Sequence, residues 1–103
     1  MNDTALQSAL ALTAAMLAAA DADAWDEVAA LAARRHACLQ AALGGDAWRL
    51  RSQVVQDLRH ILAADRQLAE RASAARRQAT SALRELRGGT RMQDVYAANA
   101  ALG

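Results

Sequence analysis

The sequence predicts an all-α fold, and three observations predict it. Proline is absent, alanine fills 30 of the 103 positions, and apolar residues recur at alternating spacings of three and four through the middle of the chain. Alanine is the best helix former and proline the worst, separated by about 3 kcal/mol per interior position. Phenylalanine is missing and Ile61 is the lone isoleucine, so little favours strands. The length suits one domain, and residues 1–103 are read as a single helical domain.

Glycines punctuate the chain. Gly44-Gly45 and Gly88-Gly89 divide it, and each pair is followed by an N-cap candidate, Asp46 and Thr90. A softer break lies at Asp21–Asp23, ahead of Trp25-Asp26-Glu27, whose carboxylates favour a helix start. These signals predict four helices, at about 4–20, 23–43, 47–87 and 91–102. The expected architecture is an elongated antiparallel bundle with a long third helix and a short C-terminal one. At 1.5 Å per residue the third would span roughly 60 Å.

The third helix carries the clearest pattern. Leu58, Ile61, Asp65, Leu68, Ala72, Ala75, Ala79, Ala82 and Leu86 form a heptad seam, widened by Val55, Leu62, Ala69 and Leu83. Helix two offers a matching face at Trp25, Val28, Leu31, Ala32, Leu39, Ala42 and Leu43. The short link at Gly44–Asp46 predicts a hairpin between these two. Helix one would cover one side with Leu6, Leu10 and Leu17. Much of the seam is alanine, so the core should be thin. Asp65 stands at a seam position, where a polar group either fixes register or turns outward to pair with an arginine.

Chemistry is mostly missing. His36 and Cys38 lie two apart on a helix and point in different directions, and Asp57 with His60 supplies two ligands where a metal site needs more. Cys38 has no disulfide partner in the chain, which fits a reducing cytoplasm. No Gly-rich phosphate loop or nucleophile–base pair occurs. No catalytic, cofactor or metal residues are therefore assigned, and the chain is read as non-enzymatic. The start Met-Asn-Asp-Thr lacks a signal peptide's positive region, and the stretch 9–20 is short for a bilayer, so no membrane insertion is expected. The net charge is +1 and all twelve basic residues are arginine. From Arg66 to Arg91 seven arginines face two glutamates, but no aromatic side chain interleaves, so a solvated helix face is preferred over nucleic-acid binding.

The stretch Ile61-Leu62-Ala63-Ala64-Asp65-Arg66-Gln67-Leu68, the Arg/Ala-rich helix after it, Leu86-Arg87-Gly88-Gly89, and the short segment with Tyr96-Ala97 together resemble the FliT family. The start at Trp25-Asp26-Glu27, followed by Leu31, Arg35 and Leu39, fits the same family. The resemblance runs from about residue 6 to 98. It implies a cytoplasmic flagellar type III export chaperone for the filament-cap protein. The cap protein's C-terminal segment would bind apolar surface on the second and third helices. Leu39, Leu43, Leu62, Leu68 and Leu83 are the expected contacts there. The last helix would fold back on a hinge at Gly88 and Gly89, and Tyr96 matches the position that touches the cytoplasmic domain of the export gate. Some members also engage the export ATPase complex and the master activator of flagellar genes. The alternatives are a chaperone of the hook–filament junction proteins and a structural coiled-coil homodimer without a client.

Overall fold

The computed structural model describes the backbone of residues 3–102 and the side chains of residues 3–89. Among the described residues three α-helices and one 3-10 turn account for the regular structure. They are α1 (Asp3–Asp21), α2 (Trp25–Ala42), the 3-10 turn Ala47–Leu50, and α3 (Ser52–Leu102). The all-helical reading holds, and the division into four helices is corrected to three.

α1 ends where the backbone turns left-handed. Asp23 has φ 55°, Ala24 N–H donates to Ala19 O at 2.9 Å, and Asp23 N–H donates to Ala20 O at 3.0 Å. These two bonds are the Schellman pair, which satisfies carbonyls that a helix end leaves orphaned. Ala19 and Ala24 both pack in one apolar cluster, supplying the contact that accompanies the motif. α2 then opens with Asp26 and Glu27 in its first turn and stops at Leu43, whose N–H bonds Leu39 O at 2.9 Å. Gly45 follows at φ 73°, a conformation that glycine enters without a Cβ penalty.

The expected helix start at 47 is displaced. Residues 47–50 form a 3-10 turn, Arg51 is extended, and the α-helix begins at Ser52. Asp46 precedes the turn but makes no side-chain cap bond. The second difference lies at Gly88-Gly89, where α3 continues without a break. A helical glycine costs about 1 kcal/mol relative to alanine, which weakens a helix without ending it. Leu86, Arg87, Arg91 and Met92 around the pair all favour helix, no proline follows, and neither glycine adopts a positive φ. Thr90, the expected N-cap of a fourth helix, therefore falls within α3.

The chain divides into two compact units, residues 1–71 and residues 72–103. In the first, α1, α2 and the opening turns of α3 pack together. Met16, Ala19, Ala20, Leu31 and Leu68 share one buried cluster, and Leu6, Ala42 and Val54 share another. Leu31 is grouped with Leu68 and Ala42 with Val54, so α2 and α3 run in opposite directions. Leu6 is grouped with Val54 and Met16 with Leu68, so α1 and α3 run the same way. The core is thin, as expected: Ala9, Ala19, Ala20, Ala42 and Ala64 are five of its eleven buried apolar residues. The second unit is a helix whose residues 76–89 are all exposed.

α1 buries Leu6, Ala9, Thr13, Met16, Ala19 and Ala20. This stripe lies one step round from the expected Leu6, Leu10 and Leu17, because Leu10 and Leu17 are only half-buried. Two surface ion pairs bracket the helix. Asp3 receives Arg51 at 3.0 Å, and Asp21 receives Arg71. Each contributes at most about 1 kcal/mol. At 19 residues α1 is long and apolar enough, by length and composition alone, to cross a membrane. Six of its residues are buried in the core of the unit.

Candidate functional site

The five leucines expected to line a client groove separate into three environments. Leu68 is 7 % exposed and packs with Met16 and Leu31, so it belongs to the core. It sits on the heptad seam that faces α1 and α2. Leu39 and Leu43 are half-buried around Leu6, Ala42 and Val54, where Trp48 and Leu58 also pack. Leu62 and Leu83 are exposed, at 57 % and 47 %. Leu50 and Leu86 are barer still, at 90 % and 69 %; Leu50 has no expected role, and the exposure of Leu86 corrects its expected place in the packed seam.

In the first unit the exposed apolar surface begins at the 3-10 turn. Leu50 projects from it, and the Arg49 guanidinium lies 5.4 Å from the Trp48 ring centroid, a cation–π contact. Val55 is half-buried, and Leu62 stands two turns further along α3. In the second unit Ala79, Ala82, Leu83 and Leu86 lie at helical spacings of three, one and three, forming an exposed stripe. Single exposed leucines are ordinary, but rows of them at helical spacing form the surface that an amphipathic partner covers.

A polar network joins all three helices within the first unit. Arg35 on α2 donates to both carboxylate oxygens of Asp65 on α3, at 2.8 and 3.2 Å, and also to Thr13 Oγ1 on α1 at 3.2 Å. The Thr13 hydroxyl in turn donates to Ala9 O at 2.8 Å. The Arg35 side chain is 12 % exposed and that of Asp65 is 40 % exposed. The more deeply buried charge is thus Arg35, although sequence reasoning singled out Asp65. Arg35 follows the exposed Arg34 directly, and its spacing of one turn beyond Leu31 is the sequence signal that it faces inward.

Asp57 and His60 line one cavity of about 370 Å³ between α1 and α3, with Leu10, Thr13, Ala14, Leu17 and Ala64. Asp57 accepts a hydrogen bond from Gln53 at 3.0 Å. No cluster of three metal-ligating side chains occurs among the described residues. Cys38 is half-buried and unbridged. Gly88 and Gly89 lie within α3 with open space around them. The Tyr96 side chain lies outside the described residues.

A family model described as flagellar protein FliT matches residues 3–98. The chain belongs to the FliT family. That membership makes it a flagellar export chaperone, from a family of chaperones and not of enzymes. The match spans all of α1 and α2 and most of α3. No curated protein and no solved structure matches the chain.

Proposed function

We propose that this FliT-family chain is the cytoplasmic chaperone of the flagellar filament-cap protein. It holds the C-terminal segment of that client, keeps it from assembling early, and delivers it to the cytoplasmic domain of the export gate. The observation that carries the reading is family membership combined with apolar rows that no other part of the described chain covers. Binding is helix-in-groove: an amphipathic client segment lays its apolar side chains against the first unit, where Leu39, Leu43 and Leu62 are the proposed contacts, and Leu83 is a separate proposed contact on the second unit. The thin, alanine-rich core suits a bundle that can adjust to a client. No covalent chemistry is required, and none is assigned. Tyr96 is the proposed gate contact, since a tyrosine combines a ring to bury with a hydroxyl to pair.

The test is calorimetry with the purified filament-cap protein and, side by side, with the hook–filament junction proteins of the same bacterium. Binding of the cap protein alone is the expected result. Binding of a junction protein instead would reassign the client, and binding of neither would remove the export role proposed for this chain. Delivery is tested with Tyr96→Ala. The variant should keep its cap-protein affinity while the complex loses affinity for the purified gate domain. Normal gate binding would sink the assignment of Tyr96.

A further inference from the structure

We infer that the face of the first unit formed by Arg49, Leu50, Val55, Arg59, Leu62 and Arg66 selects an acidic amphipathic helix, so that the client segment carries carboxylates beside its apolar side chains. This rests on the client-binding reading and adds the chemistry of the client to it.

The geometry is built from a seven-residue repeat. Val55 and Leu62 are seven residues apart on α3, and so are Arg59 and Arg66, so each pair stacks along the helix, two turns apart. The arginine row lies beside the apolar row, and Leu50 extends the apolar one beyond the helix start. Arg49, Leu50, Ser52, Val55, Gln56 and Arg59 line a shallow cavity of about 640 Å³. This is space for one or two inserted side chains of a partner.

The charges are uncommitted. Arg59 and Arg66 are exposed, and neither forms an ion pair among the described residues. Arg49 reaches Asp46 only at 3.8 Å, with both side chains mostly in solvent. Of the three acidic residues in this part of α3 two are engaged elsewhere, and the third, exposed Glu70, stands one turn beyond Arg66 at the far end of the face. Asp65 is held by Arg35, and Asp57 is bonded to Gln53 and lines the cavity against α1. The face is therefore positive as well as apolar, and a partner with apolar side chains flanked by Glu or Asp satisfies both features. A basic segment would meet three arginines, which is how a surface rejects the wrong partner. The first unit has an acidic cluster of its own at Asp21, Asp23, Asp26 and Glu27, so a second copy is the competing occupant.

The test uses the full chain and two labelled synthetic helical peptides with the same leucine face, one flanked by glutamates and the other by lysines. Fluorescence anisotropy should show the glutamate peptide binding about tenfold more tightly, the effect of two or three exposed ion pairs, with the gap closing as salt rises. The double variant Arg59→Glu/Arg66→Glu should reverse the preference. The neutral pair Arg59→Gln/Arg66→Gln should reduce it to the part that Arg49 supplies, and circular dichroism should show both variants as helical as the parent. Equal binding of the two peptides, or an unchanged preference in the variants, would overturn the inference. So would a dimer in sedimentation that the charge reversal dissolves, since a second copy would then occupy the face. Failure of the filament-cap protein to bind, with peptide selectivity intact, would count against the client's identity and leave the selectivity standing.

Discussion

Arg35 grips Asp65 with two parallel hydrogen bonds, Nη1 to Oδ1 at 2.8 Å and Nη2 to Oδ2 at 3.2 Å, and the same Nη1 reaches Thr13. A rigid, planar guanidinium suits this bidentate role, which a lysine cannot fill. The pair connects α2 to α3, and Thr13 brings in α1, about one turn from the apolar cluster of Met16, Leu31 and Leu68. An alanine-rich core has few interdigitating side chains to set helix register, and the network supplies directional contacts there.

Removing one partner should therefore cost more than removing both. Asp65→Ala leaves the Arg35 guanidinium mostly buried without its carboxylate, and we expect a loss of about 1.5–3 kcal/mol. Arg35→Met should cost less, because its stem is replaced and Asp65 can turn toward water. The double variant should be more stable than the two single losses summed. Urea unfolding of all four chains gives the coupling energy. A coupling near zero would show that the bidentate pair contributes geometry without stability.

Asp23 offers a gain. It holds a left-handed conformation, φ 55°, at the end of α1, where glycine is the usual occupant. A non-glycine residue there carries a steric penalty, softened for aspartate. Asp23→Gly should raise stability by about 0.5–1 kcal/mol, visible as a higher Tm. Unchanged or lower stability would mean that the aspartate contributes an interaction outweighing its strain.

Leu62 and Leu68 separate surface from core. Leu68 is packed against Met16 and Leu31, and Leu68→Ala should cost about 2–5 kcal/mol. Leu62 is more than half exposed, so Leu62→Gln should change stability by no more than about 0.5 kcal/mol while weakening filament-cap binding. Denaturation and calorimetry on the same two variants decide this. Cap-protein binding that survives Leu62→Gln undiminished would move the client surface elsewhere.

Much of this fold could be read in the sequence because its signals are local. The Asp21–Asp23 break, the Gly44-Gly45 turn and the α2 face from Trp25 to Leu43 each depend on residues a few positions apart. What escaped depends on tertiary contact. Leu62, on the widened edge of the stripe, and Leu68, on its seam, both belong to apolar rows of the sequence. Which of them is covered is decided by α1, whose own rotation rests on Thr13 and Met16 facing inward. The spacing of Arg35 from Leu31 turns it inward, but its carboxylate partner is known only once the fold sets Asp65 opposite. Trp48 resembled a helix residue until the 3-10 turn placed it beside Val54. At Gly88-Gly89 the punctuation rule misled, since glycine marks a helix end only where the backbone turns left-handed or the flanking residues disfavour helix.

That last point yields a test of how α3 behaves in its second half. Both glycines lie in helix, and a Cβ added at either meets nothing within 4 Å. Replacing each by alanine removes backbone freedom from the unfolded chain and adds the strongest helix former. Each change should therefore favour the helical state by about 1 kcal/mol. Hydrogen exchange of the amides on either side of residue 88 should slow in Gly88→Ala/Gly89→Ala, and total helicity should rise or stay level. A working hinge gives the opposite result. If residues 91–102 fold back during the chaperone cycle, one of the glycines must leave helical geometry, and alanine there would oppose it. Client or gate binding would then change in the double variant with no loss of fold. Slower exchange with unchanged binding supports the continuous helix as the working state, whereas altered binding restores Gly88-Gly89 as the pivot of a switch.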